Sequence, residues 1–176
     1  MSKSSFKSDL HFFSSAFENG GYIPLEYTCY AKDEQKFIRL YWEIKGSALR
    51  RNVKSFAVGM IDVTTEFVHF LVYDIPSTES ELTEDNFNII GKTGYNSYFN
   101  TNYIPPCPKD NKEHEYLFFI CALDIEELPK GKIFYKDIIE FCKTNGIYTA
   151  NIYGKFKNLS DIKNTSENKK WTRRMF

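Results

Sequence analysis

With 176 residues, 42% of them hydrophobic and 26% charged, the chain suits one globular domain able to bury a real core. Lys and Arg total 23, as do Asp and Glu, so no net charge draws in nucleic acid. No apolar run reaches the roughly 18 residues of a membrane span, and no apolar leader core follows Lys3, so a cytoplasmic protein is expected.

Aromatic residues are 17% of the chain, with 16 Phe and 12 Tyr, and they favour strands and broad packed faces. Residues 1–10, rich in Ser and Lys, read as a flexible N-terminus; 11–157 read as the domain and 158–176 as a polar, basic C-terminal segment. Phe12–Phe17 reads as a short strand or turn, and Gly20, Gly21 and Pro24 punctuate a loop. Phe37–Ile44 alternates as a strand with Leu40 and Trp42 on one face. Ser55–Asp62 reads as a buried strand containing Gly59, and Phe67–Ile75 as another. Ser77–Asn86 is polar and acidic and reads as a solvated loop; Asn96–Pro105 lacks periodicity and reads as a long loop. Tyr116–Asp124 is almost continuously apolar, the mark of a strand buried on both faces.

Residues 133–145 carry the clearest helical period, with Phe134, Ile138, Phe141 and Cys142 on one face and a stop at Asn145 and Gly146. Tyr148–Phe156 alternates as a final strand. Many strands, one strong helix and long loops predict a mainly β domain. Lys169–Phe176 carries four basic residues with Trp171 and Phe176. It reads either as a solvated tail or as a contact for an anionic membrane surface or partner. The four cysteines show no CxxC spacing. Cys121 and Cys142 fall in apolar patterns and read as core thiols. Cys29 and Cys107 lie in loops, where a disulfide is possible but a cytosolic address argues for free thiols.

Asp62 closes one strand, and His69 follows seven residues later inside the next apolar run. A histidine there is most simply a core or pocket-wall residue. His114 stands between the polar turn Lys109–Glu113 and a buried strand, a better place to meet a ligand. A carboxylate beside an imidazole favours the imidazolium, which with N–H donors can hold a phosphoryl or carboxylate oxygen. Two His and one Asp can also ligate a metal, but there is no helical i,i+4 pair and no fourth ligand stands out, so neither metal nor cofactor is expected. No G-x-S-x-G, P-loop or paired-glutamate pattern marks an enzyme.

Five short segments then stand in order: Ile23–Cys29, Phe67–Tyr73, Gly91–Tyr95, Pro106–Pro108 and His114–Tyr116. Their order and spacing resemble the phosphatidylethanolamine-binding proteins, the family of Raf kinase inhibitory protein, and most nearly its bacterial and protist branch. The resemblance implies an antiparallel β-sandwich with Greek-key connections and a few peripheral helices. It also implies a small anion pocket for phospholipid headgroups or phosphorylated residues. His69 and His114 would line the anion, Asp62 would orient an imidazole or accept a ligand N–H, and Tyr116 would give an O–H. Pro106, Cys107 and Pro108 would form the wall, with Phe67 as a pocket aromatic. Two departures stand out. The family's Asp-Pro-Asp-Ala-Pro is here Asp62-Val63-Thr64-Thr65, and Glu115 stands where the family has Arg, which suggests a lost ion pair between the two motifs.

The leading expectation is a non-enzymatic binding module for a phosphorylated headgroup or phospho-residue, regulating a kinase or other signalling partner, with peripheral membrane contact and no nucleic acid. The alternatives are an interaction or scaffold protein with a degenerate pocket and, further off, a hydrolase using the Asp and His side chains as acid and base.

Overall fold

Alternating patterns along the short strands and continuous apolar runs along the long ones call for two sheets sharing one buried face. The computed structural model describes residues 9–46 and 50–158. The first sheet holds β1 (Leu10–Ser14), β2 (Leu40–Ile44) and β5 (Glu81–Leu82), in the order β1-β2-β5. The second holds β3 (Ser55–Asp62), β4 (Phe67–Pro76), β6 (Lys92–Thr93), β7 (Glu113–Leu123) and β8 (Gly146–Lys157), in the order β6-β4-β3-β7-β8. Every pairing within the sheets is antiparallel. After β4 the chain visits β5 in the other sheet, returns to the edge as β6, and crosses β4 and β3 to reach β7. That non-neighbour jump is the connection expected of a Greek key. Among the described residues no helix is long and apolar enough to cross a membrane.

The inner faces of the two sheets form the main core. Leu10, Phe12, Leu40, Trp42 and Leu82 of the first pack with Phe56, Met60, Phe70, Phe118 and Ile120 of the second. The outer face of the second sheet carries a separate core under the helix α1 (Tyr135–Asn145), with Leu71, Phe119, Cys121 and Ile138 buried and Phe141 and Cys142 packed against them. Successive residues of β7 therefore serve the two cores in turn, which is why that strand reads as an unbroken apolar run.

Several expectations are adjusted. β2 is shorter than Phe37–Ile44, although Phe37 and Ile38 are buried. The segment 77–86 is not wholly solvated, because Leu82 is fully buried opposite Leu40. The Asn145–Gly146 stop holds, but Gly146 is extended (φ −73°) rather than left-handed. Glycine is needed there because a Cβ would collide with the Cys142 carbonyl as helix passes directly into strand. The expected boundary between 10 and 11 falls at the first residue of β1. The run Lys169–Phe176 lies outside the described residues.

Gly59 sits in mid-strand where a Cβ would come within 2.5 Å of the Phe119 ring and 2.8 Å of Leu71. Gly59→Ala is expected to lower the unfolding free energy by about 1–3 kcal/mol through overpacking. Urea unfolding checks this, and an unchanged midpoint would mean that the outer core yields without loss.

Candidate functional site

Antiparallel pairing gathers the chemistry at one end of the second sheet. Asp62, the last residue of β3, pairs with Phe67 on one side and Tyr116 on the other. His114 lies two residues before Tyr116 and so shares its face. His69 arrives differently. The register of β3 on β4 runs Met60 to Phe70 and then Ile61 to Val68, leaving His69 without a partner. This bulge turns Val68 to the outer core and Phe67 to the inner side and lets the histidine face the cleft. The strand ends and the segment 104–110 enclose a cleft of about 370 Å³.

His114 is nearly fully buried, at 4% exposure, and both its ring nitrogens are engaged. Nδ1 stands 2.6 Å from Asp62 Oδ2, and Nε2 stands 2.8 Å from Asp110 Oδ1. Burial alone would lower its pKa, but the hydrogen bonds and charges of the two carboxyl groups outweigh it, and the net shift is upward. Hydrogen bonding to His114 in turn holds Asp110 below the usual carboxylate range. Carboxyl groups at both ring nitrogens thus favour the imidazolium, the form that donates from both edges. Asp62 also fixes the turn that follows it, since its Oδ1 accepts the N–H groups of Thr64 (2.9 Å) and Thr65 (3.3 Å).

His69 is held in the opposite state. Burial pushes its pKa down to about 4. Its Nδ1 lies 2.8 Å from the Ile104 carbonyl, so the neutral ring donates there and leaves Nε2 as an acceptor. Tyr116 is fully buried and lines the cleft, and its hydroxyl has no hydrogen-bond partner among the described residues. A buried hydroxyl without a partner is costly, and here it stands at the wall of the cleft as an unused donor. Phe67 stands edge-on to both His69 and Tyr98 at 5.0 Å, giving the cleft an aromatic side.

The structure thus brings together Asp62, Phe67, His69, Cys107, Pro108, His114 and Tyr116. Pro106 is buried behind the wall instead, its carbonyl accepting the Cys29 N–H at 3.0 Å, and Pro105 takes its place in the lining. The expectation of free thiols at Cys29 and Cys107 is corrected: they form a disulfide. Loop cysteines 78 residues apart offer no sequence signal for their spacing in the fold. Cys121 is buried and Cys142 half-buried, both free. The departures from the family motif are neighbours, for Thr64 Oγ1 accepts the Glu115 N–H at 3.0 Å. Asp110 was missed. Its only trace in the sequence is an acid four residues before His114 in a polar turn.

Fold and site together define a two-sheet β-sandwich protein with a histidine-lined cleft at the mouth of its central strands. A family model, phosphatidylethanolamine-binding protein, matches residues 13–157. The chain belongs to that family. It is 36% identical over 157 residues to a UPF0098 protein of Aquifex aeolicus, covering 82% of this chain and 86% of that one. The fold matches the crystal structure of a Chlamydia trachomatis protein described as a homologue of the family, with TM-score 0.71, 24% identity, and coverage of 85% of this chain and 97% of that one. It also matches E. coli YbcL, with TM-score 0.69, 21% identity, and coverage of 86% and 99%.

Proposed function

We propose that this is a non-enzymatic binding protein whose cleft holds a phosphate-like anion, carried by a phospholipid headgroup or a phosphorylated residue, and that it acts on a kinase or other signalling partner. The observation that carries the reading is the buried Tyr116 hydroxyl, without a partner among the described residues, in the wall of the cleft that His114 and its two carboxyl groups also line. A phosphomonoester monoanion suits that set. Its oxygens accept from Tyr116, and its remaining P–O–H donates to Nε2 of the neutral His69. Lys109 adds positive charge at the exposed rim. Tyr98 and Phe99, 68% and 76% exposed, lie in the loop that supplies the rim and offer apolar surface to a partner or lipid.

Binding without turnover fits the protonation states. His114 has no free nitrogen to take a proton, and His69, at about 4, is a weak base. A cytoplasmic setting is the sequence expectation, and the Cys29–Cys107 disulfide weighs against it, because such bonds persist in oxidising compartments.

The test is a histidine-detected NMR titration with phosphoethanolamine and o-phosphotyrosine. Saturable shifts at His69 and His114 are expected, with no phosphate released. Tyr116→Phe should leave stability unchanged or raised, since it deletes a buried hydroxyl that lacks a partner, yet weaken binding about ten-fold. No shifts up to millimolar ligand, or equal affinity in Tyr116→Phe, would sink the reading.

A further inference from the structure

We propose that Asp110 is a built-in ligand of the cleft: its carboxylate occupies the donor of His114 that an incoming anion needs, and binding proceeds by displacing it. The inference rests on the anion-site reading above and adds how that site chooses its ligand.

The geometry is specific. Of the two N–H groups of His114, Nδ1 is committed to Asp62, itself 4% exposed and tied into the turn at Thr64 and Thr65. Asp62 cannot leave without breaking that turn. Nε2 is committed to Asp110, whose side chain is 48% exposed. Among the described residues Asp110 is anchored otherwise only by the Lys112 N–H, at 3.2 Å from the same Oδ1. A rotation of its side chain into water frees Nε2. The backbone before it stays in place, because the Cys29–Cys107 disulfide and the Tyr30 hydroxyl on the Pro108 carbonyl, at 2.6 Å, pin the wall. The carboxylate is therefore the movable member of a fixed frame.

The consequence is selectivity. A ligand carboxylate that replaces Asp110 exchanges one carboxylate–imidazolium contact for another and gains little. A phosphoryl group takes the same contact and also has oxygens for Tyr116 and a proton for His69. Asp110 thus sets a threshold that simple carboxylates fail to pass.

The experiment compares wild type, Asp110→Asn and a charge-matched control at an exposed site, Asp85→Asn. Each is titrated near pH 6 with inorganic phosphate, phosphoethanolamine and acetate, followed by histidine shifts and by the Asp110 carboxyl ¹³C signal. Asp110→Asn is expected to bind both phosphates about ten-fold tighter than wild type or the control, since a charge-assisted hydrogen bond no longer has to be broken. Acetate binding should become measurable in that variant. In wild type, saturation with phosphate should move the Asp110 signal to that of a free carboxylate. Equal phosphate affinity in wild type and Asp110→Asn would overturn the built-in ligand and leave the anion site standing. A gain matched by Asp85→Asn would reduce the effect to net charge and also overturn it. Absence of phosphate binding in every variant would overturn both readings. A stronger response to phosphoethanolamine than to inorganic phosphate would identify a headgroup as the source of the anion.

Discussion

Replacing both Cys29 and Cys107 by Ser is expected to lower the free energy of unfolding by about 4.5 kcal/mol, the chain-entropy value for a bridge closing a loop of this length. The bridge spans 78 positions and ties the irregular segment after the 3-10 turn Leu25–Tyr27 to the wall of the cleft. No other covalent tie holds that wall among the described residues; it rests on the Cys29 N–H to Pro106 and the Tyr30 hydroxyl to Pro108. The same variant should therefore lose anion affinity several-fold, because Pro105 and Cys107 move with the wall they line. Cys29 is exposed, so a reductant should reproduce both effects in the unmodified protein. Denaturant unfolding with and without dithiothreitol checks the first effect and phosphate titration the second. An unfolding midpoint that ignores the reductant would show that the bridge contributes nothing to the folded state.

Stability should peak near pH 6.5 and fall on either side, for opposite reasons at two histidines. The folded-state pKa of His69 is depressed to about 4 from an ordinary value of 6.5. As pH falls through that interval the unfolded chain takes up the proton first, so stability present above about 6.5 is lost toward 4, by up to about 3 kcal/mol. The pKa of His114 is raised by its two carboxyl partners against the opposing effect of burial. Its contribution is present below about 6.5 and lost as pH rises through the higher folded value. Asp110, held below its ordinary range by His114, adds to the acid loss. His69→Asn keeps a donor for the Ile104 carbonyl and should flatten the acid limb. His114→Gln should flatten the alkaline limb while lowering stability overall, since it breaks a buried pair. Unfolding free energies at pH 4.5, 6.5 and 8.5 decide the matter. An acid limb unchanged in His69→Asn would remove the buried neutral histidine from the account.

The long strands were legible because burial on two faces demands runs with little else to say. Ser55–Asp62 coincides with β3, and Phe67–Ile75 differs from β4 by one residue. The two-residue strands β5 and β6 were not, since a single apolar plug such as Leu82 leaves no period to read. Of the site, His114 was legible from its place at a strand mouth. Asp62 was legible through its place in the family motif, though it reaches the ring across 52 positions by strand pairing; Asp110 was not, because only the shape of a turn brings it there. The difference between the histidines was also hidden. Each lies beside apolar residues, and it is burial around His69 and the two carboxyl groups against His114 that shift them in opposite directions.

The unpaired residue in β4 has an evolutionary consequence. Its recognition end and its core end are out of phase, joined at one supernumerary position. A deletion there would restore the two-residue rhythm and take His69 out of the cleft, while Phe67 stayed opposite Asp62 and Phe70 and Val72 kept their seats in the core. Lineages of this fold can thus exchange what the cleft presents by gaining or losing one residue at the strand mouth, without rebuilding the scaffold behind it.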